Sequence, residues 1–101
     1  MLIKERTDGS ASWLSLEGRF DFHSHRDFRT AYEVVLPKAE IREIVLDFRQ
    51  VDYLDSSALG MLLLLREKAE AVGKKVKLAN LSGSVKQVME IANFGKLFTI
   101  Q

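Results

Sequence analysis

The chain has 101 residues, 47% of them hydrophobic and 29% charged, which suits one folded domain with a modest core and excludes a disordered chain. Its 15 basic and 14 acidic residues are intermixed and leave a net charge of +1, so no one-signed field steers it to nucleic acid or an anionic membrane. It contains no cysteine, which excludes disulfides, a thiol nucleophile and a cysteine-ligated zinc site.

Leu2 to Arg6 is predicted as a short strand, followed by a turn at Asp8-Gly9. From Ala11 to Glu17 the pattern alternates, with Leu14 and Leu16 on one face and Ser15 and Glu17 on the other, which predicts a second strand. The chain leaves that strand over Gly18 to Phe22. Ser24 is a candidate N-cap for a helix from His25 to about Leu36, with Phe28, Ala31, Tyr32 and Val35 as its buried stripe. Pro37 ends it. Glu43 to Phe48 is a buried strand, and the run Ile44-Val45-Leu46 lacks alternation, as expected of a central strand covered on both faces. A helix from about Ser57 to Val72 follows, with Gly73 as its C-cap. Lys75 to Ala79 alternates Val76 and Leu78 with lysines and is a half-buried strand. Ser82 or Ser84 caps a last helix to about Asn93, with Val85, Val88, Met89 and Ala92 inward; Phe98-Thr99-Ile100 adds a terminal strand. Two opening strands followed by alternating helix and strand predict a small α/β domain with a mixed sheet.

The N-terminus, Met1 to Arg6, lacks the apolar core of a signal peptide. The longest apolar run, Ala58 to Leu65, is eight residues with Gly60 counted in, against the roughly 20 needed to cross a bilayer. The expectation is a cytoplasmic protein without direct membrane insertion.

Asp55-Ser56-Ser57-Ala58-Leu59-Gly60 concentrates the chemistry. It places two hydroxyls and a carboxylate at a helix start, beside backbone N–H groups that lack helical partners. Such a place holds a phosphate or a partner's polar group. Ordinary capping accounts for the same residue types, although a capping box wants Glu or Gln three residues on, where Leu59 and Gly60 stand. On the residues alone both readings stay open. A serine hydrolase is disfavoured, because the Gly-x-Ser-x-Gly elbow is absent and the two histidines, His23 and His25, flank Ser24 at a solvated helix start. No glycine-rich phosphate loop is present, and a metal site needs more ligands than two histidines. No enzymatic activity, cofactor or metal is expected. In the helix after the serines, Ala58, Leu62, Leu65, Ala69 and Val72 share a face at roughly 100° per residue. Leu63 and Leu64 point away from it. The spacing slightly favours neighbouring helices covering both sides over a docking face for a partner.

These residues resemble the STAS domain, in particular the bacterial anti-sigma factor antagonists. Those typically read Asp-Ser-Ser-Gly-Leu-Gly or Asp-Ser-Ala-Gly-Leu-Gly where this chain has Asp55 to Gly60. Leu16-Glu17-Gly18-Arg19-Phe20-Asp21 resembles the family's second-strand motif. Ile44 to Phe48 with Val51 to Leu54 resembles its central strand and approach to the site, and Lys75 to Asn80 with Val85 to Met89 its last strand and helix. The resemblance covers nearly the whole chain. It implies one STAS-like domain over residues 1–101, α/β, with a mixed β-sheet of four to five strands and three or more helices.

The resemblance also implies a phosphorylation-controlled partner-switching regulator. Unphosphorylated, such a protein binds an anti-sigma factor or similar switch protein, often a serine kinase that phosphorylates the first serine after the Asp; a metal-dependent serine phosphatase reverses this. Carried onto this chain, the phosphoacceptor is Ser56, and the partner-binding residues are Asp21, Asp55, Ser56, Ser57, Ala58, Leu59 and Gly60. Ala58 stands where glycine is common, so its methyl is a candidate obstruction to a close partner. The alternative implied by the same family is a STAS subunit of a membrane transport system, or a regulator of a non-sigma effector such as a response regulator.

Overall fold

A computed structural model describes residues 1–101. The chain opens as a hairpin. β1 (Leu2–Asp8) and β2 (Ala11–Phe20) pair antiparallel, with Asp8 opposite Ala11, and Gly9 turns the chain at φ 62°, a left-handed conformation that glycine adopts at little cost. β2 runs on past Glu17 to Phe20, beyond its expected end. Its continuation pairs with an unexpectedly long β3 (Glu43–Leu54).

Two register shifts explain why that length was hidden. Ser15 pairs with Asp47 but Glu17 with Gln50; Gly18 pairs with Val51 but Arg19 with Tyr53. Each shift puts one extra residue on β3 and changes the phase of its side chains. Ile44, Leu46, Phe48, Val51 and Leu54 all reach the core as a result, although they do not keep a period of two.

α1 (His25–Val35), α2 (Ser56–Ala71), β4 (Lys75–Ala79), α3 (Gly83–Ile91) and the short β5 (Thr99–Ile100) complete the chain. The five strands lie in the order β1-β2-β3-β4-β5, parallel throughout except for the first pair, so the sheet is mixed. The buried side chains of all three helices form one core with Leu14, Leu16, Ile44, Leu46, Phe48, Val76 and Leu78. The helices therefore stand on one face of the sheet. This qualifies the expectation that β3 is covered on both faces, because helices cover one face only. Val45 is buried, but it lies outside that core and is flanked along the sheet by Trp13 and Lys77.

α2 buries Ala58, Met61, Leu62, Leu65 and Ala69. Sealing a leucine such as Leu62 away from water contributes about 1.5–3 kcal/mol. Val72, expected on the same stripe, is exposed: the helix ends at Ala71, and Val72 takes φ −112° and ψ 16°, which swings it off the stripe. Gly73 then reverses the chain at φ 73°, with its N–H donating to Glu70 O (3.1 Å) and the Lys74 N–H to Ala69 O (2.8 Å), a Schellman ending. Leu63 and Leu64 are 40% and 39% exposed, so neighbouring helices do not cover them. The buried Lys74 donates from Nζ to the carbonyls of Lys38 (2.7 Å) and Ile41 (2.6 Å), tying the end of α2 to the α1–β3 loop.

Phe20, the last residue of β2, packs against Phe28 of α1 at 4.9 Å and Phe48 of β3 at 6.3 Å between ring centroids; Phe28 continues to Tyr32 at 5.3 Å. This aromatic column fixes where β2 stops and where α1 begins. It thereby positions the residues between them.

Candidate functional site

β2 and β3 end side by side, with Phe20 paired to Leu54, so Asp21 and Asp55 emerge together from the carboxyl ends of two parallel strands. That is the usual place for a site in a parallel sheet. The backbone joins them further: the Asp55 N–H donates to Phe20 O at 3.3 Å.

Asp55 is the N-cap of α2, with extended backbone at φ −108° and ψ 179°. Its Oδ1 accepts the Ala58 N–H at 2.9 Å, and its Oδ2 accepts the Phe22 N–H at 3.2 Å. One carboxylate thus joins a helix start to a turn 33 residues away in sequence. That turn is a 3-10 segment, Phe22–Ser24. Asp21 caps it, accepting the His23 N–H at 2.9 Å, and Arg19 Nε lies 3.6 Å from Asp21 Oδ2. The Arg19 guanidinium also stacks on the Tyr53 ring at 3.9 Å from its centroid.

Ser24 does not cap α1 with its side chain, contrary to expectation. It is buried, and its hydroxyl accepts the Asp21 N–H at 3.2 Å while donating to Arg19 O at 3.0 Å. It fills the reciprocal position of a capping box begun by Asp21. The box is not visible in the sequence because its partner at the third position is a serine rather than Glu or Gln.

Ser56 and Ser57 are the first two residues of α2, and both are exposed. Because Asp55 supplies the cap, neither hydroxyl is needed for it. Their backbone N–H groups, at the head of the helix, have no acceptor within it. Ala58 is fully buried, at 0% exposure. Its methyl faces the core, which removes it as an obstruction to a partner. Leu59 is half-buried, and Gly60 is exposed with open space about the position a Cβ would take.

Two neighbours, Phe22 and Tyr53, were missed by sequence reasoning. Phe22 is 65% exposed, with its ring 4.7 Å from that of His23, and Tyr53 is partly exposed beneath Arg19. Their one sequence signal is position: an aromatic just after Asp21 and another two residues before Asp55. His23 and His25 are both exposed, and no group of three or more His, Cys, Asp or Glu side chains is arranged to hold a metal ion. No helix is long and apolar enough to cross a membrane.

A family model described as "Mlab, STAS domain" matches residues 3–99. A STAS-domain containing protein of Pseudomonas aeruginosa (strain UCBPP-PA14) is 48% identical over 93 residues, covering 92% of this chain and 90% of that protein. Among solved structures, an anti-sigma factor antagonist from Mycobacterium paratuberculosis superposes with a TM-score of 0.86 at 17% identity, covering 98% of this chain and 83% of that one. The Bacillus cell fate determinant SpoIIAA is similar in both its solved forms. Unphosphorylated, it gives a TM-score of 0.75 at 21% identity, over 99% of this chain and 87% of that one. Phosphorylated, it gives 0.74 at 20%, over 99% and 91%. Structural likeness at such identities speaks for the fold, while the family match and the Pseudomonas relative span nearly the whole sequence. The chain belongs to the STAS domain family.

Proposed function

We propose that this protein is a partner-switching regulator of the anti-sigma factor antagonist type, bound to its partner when Ser56 is free and released when Ser56 carries a phosphate. The observation that carries this reading is the exposed Ser56 hydroxyl at the head of α2, left free for modification because Asp55 supplies the cap. The partner is an anti-sigma factor or a switch-protein serine kinase. A kinase transfers the γ-phosphoryl of ATP to Ser56 Oγ, whose proton passes to the kinase's base, and a serine phosphatase hydrolyses the ester. The setting is cytoplasmic.

The energetics suit a switch of binding without a change of fold. A phosphate adds about −1.5 to −2 charge. The end of the α2 dipole favours it by about 0.3–1 kcal/mol, while the adjacent Asp55 carboxylate opposes it. The domain feels a small net effect. An interface that buries the same charge without a counter-ion loses several kcal/mol, and about 1.4 kcal/mol is tenfold in affinity.

Affinity capture from the source cells with Ser56→Ala and Ser56→Glu baits, with phosphopeptide mapping of the wild-type chain, tests the reading. A kinase or anti-sigma factor held by the alanine bait and lost by the glutamate bait supports it. Phosphate found only on Ser57 moves the site and sinks the assignment. Transport components held equally by both baits favour the transport-subunit role.

A further inference from the structure

The two oxygens of Asp55 do different work, and the difference bears on how a phosphate at the next residue is felt. Oδ1 serves α2, where the Ala58 N–H also lies 3.1 Å from the Asp55 carbonyl, so that end of the carboxylate is backed by a second acceptor. Oδ2 serves Phe22, the first residue of its 3-10 turn, whose N–H has no acceptor within the turn. The bond to Phe22 is also the longer, at 3.2 Å against 2.9 Å.

We propose that Asp55 couples charge at Ser56 to the placement of Phe22: a phosphate on Ser56 turns the Asp55 carboxylate away and releases the Phe22 N–H. The proposal rests on the reading of Ser56 as phosphoacceptor and names how that site is read out. The phosphate has donors of its own, the N–H groups of Ser56 and Ser57 at the head of α2, so it stays where it is attached. Two like charges on adjacent residues then repel, and the Asp55 carboxylate yields at Oδ2, whose bond is the longer, while the Ala58 N–H keeps the Asp55 carbonyl as a second acceptor. The Arg19 guanidinium is already engaged by Asp21 at 3.6 Å and by the Tyr53 ring. Asp21 and Ser24 keep the 3-10 turn itself intact through the His23 N–H and the Arg19 carbonyl. The turn stays tied to β2 at Ser24, so the shift falls at Phe22 and carries its exposed ring with it. A partner therefore meets a changed shape beside the changed charge.

The test uses the full chain, 15N-labelled, with phosphoserine genetically encoded at position 56, so it does not depend on any kinase. Asp55→Asn is the matched variant. Asparagine caps a helix as well as aspartate does, but with its oxygen on Ala58 it turns an NH2 toward the Phe22 N–H. Asp55→Ser, a cap too short to reach Phe22, is the second. The amide signals of Phe22, His23 and Ser24 are expected to shift in the same direction with phosphoserine as with either variant. Exchange of the Phe22 amide is expected to quicken roughly tenfold, the share of one charge-assisted hydrogen bond. In the Asp55→Asn background phosphoserine should move these signals little further. A Phe22 amide unmoved by phosphoserine overturns the coupling. So does a shift of equal size in the Asp55→Asn background, which would mean a direct field effect. Phosphopeptide mapping of the chain from its own cells reports separately on whether Ser56 is the natural acceptor.

Discussion

Two helix starts in this molecule carry serines in similar order, and they are built differently. α2 begins Asp55-Ser56-Ser57 and α3 begins Ser82-Gly83-Ser84. Both cap residues have extended backbone, φ −108° at Asp55 and φ −153° at Ser82, and both starts expose their hydroxyls. At α2 the cap side chain is bonded to its own helix and to a turn from another part of the chain. At α3 the Ser82 side chain makes no capping bond, and Gly83 enters the helix at φ 56°. An exposed serine at a helix head is thus common to both. What is particular to α2 is a fixed frame: a cap that joins two segments, with Phe22 and Tyr53 exposed beside it. A charge placed beside such a cap is felt in both segments that the cap joins, whereas at α3 it would be felt by one helix alone.

The largest expected effect separates the two starts by function. Phosphate on Ser56 should weaken partner binding about a hundredfold, or roughly 2.8 kcal/mol. Ser56→Glu should weaken it less, because a carboxylate carries about half the charge. Ser84→Glu should leave affinity within about twofold, since an exposed rim charge contributes little. Calorimetric titration with the captured partner measures all three. A Ser84→Glu variant that releases the partner as strongly as phosphorylated Ser56 would show that any helix-head charge suffices.

Stability should separate them next. Asp55→Ala removes a cap, which alone costs about 0.5–2 kcal/mol, and strands the Phe22 N–H as well. A loss near 2 kcal/mol is expected, seen as a fall in Tm of about 8–16 °C for a domain of this size. Ser82→Ala removes no capping bond and should stay within about 0.5 kcal/mol. Equal melting curves for the two variants would show that the clasp at α2 contributes nothing.

Along α2, Leu63 lies seven residues from Ser56, within about 20° of its direction around the helix, and Leu64 about 80° from it. Both are exposed enough that Leu63→Lys and Leu64→Lys should change Tm by only a few degrees. If the contact surface extends along the helix from Ser56, Leu63→Lys should lower affinity by about 1–2 kcal/mol and Leu64→Lys by less. Equal affinity in wild type and both variants would confine the contact to the helix head.

What could be read from the sequence follows from how local each cause is. Strand β2 alternates and α1 repeats Phe28, Tyr32 and Val35 because burial against one face imposes a period, and a period is visible in one dimension. The extra residues of β3 break its period, so no alternation marks the strand beyond Phe48. The apolar run around Val45 shows that both faces of the strand are covered but not by what: on the second face that side chain is buried beside its strand neighbours. Asp55 and Ser56 stood out through their order after a strand. The bond from Asp55 to Phe22 was invisible because it spans 33 positions. Ser24 was misjudged for the same reason: its partners, Arg19 and Asp21, precede it in a turn whose shape is set by Phe20 packing on Phe28 and Phe48.

The smallest expected effect sharpens the comparison by giving α3 what α2 has. Ser82→Asp places a carboxylate at an N-cap whose backbone is already extended, three residues before Val85, as Asp55 stands before Ala58. A negative group there gains from the helix dipole by about 0.3–1 kcal/mol. A gain of about 0.5 kcal/mol, or a rise of roughly 2–4 °C, is expected. The opposing account is that Gly83, at a left-handed φ of 56°, and not the choice of cap residue, is why no side chain at position 82 bonds the first turn. The two accounts part on one melting curve. A rise for Ser82→Asp means that α3 lacks only an acceptor. No rise means that the Gly83 turn, rather than the cap residue, is what sets the head of α3 apart from that of α2.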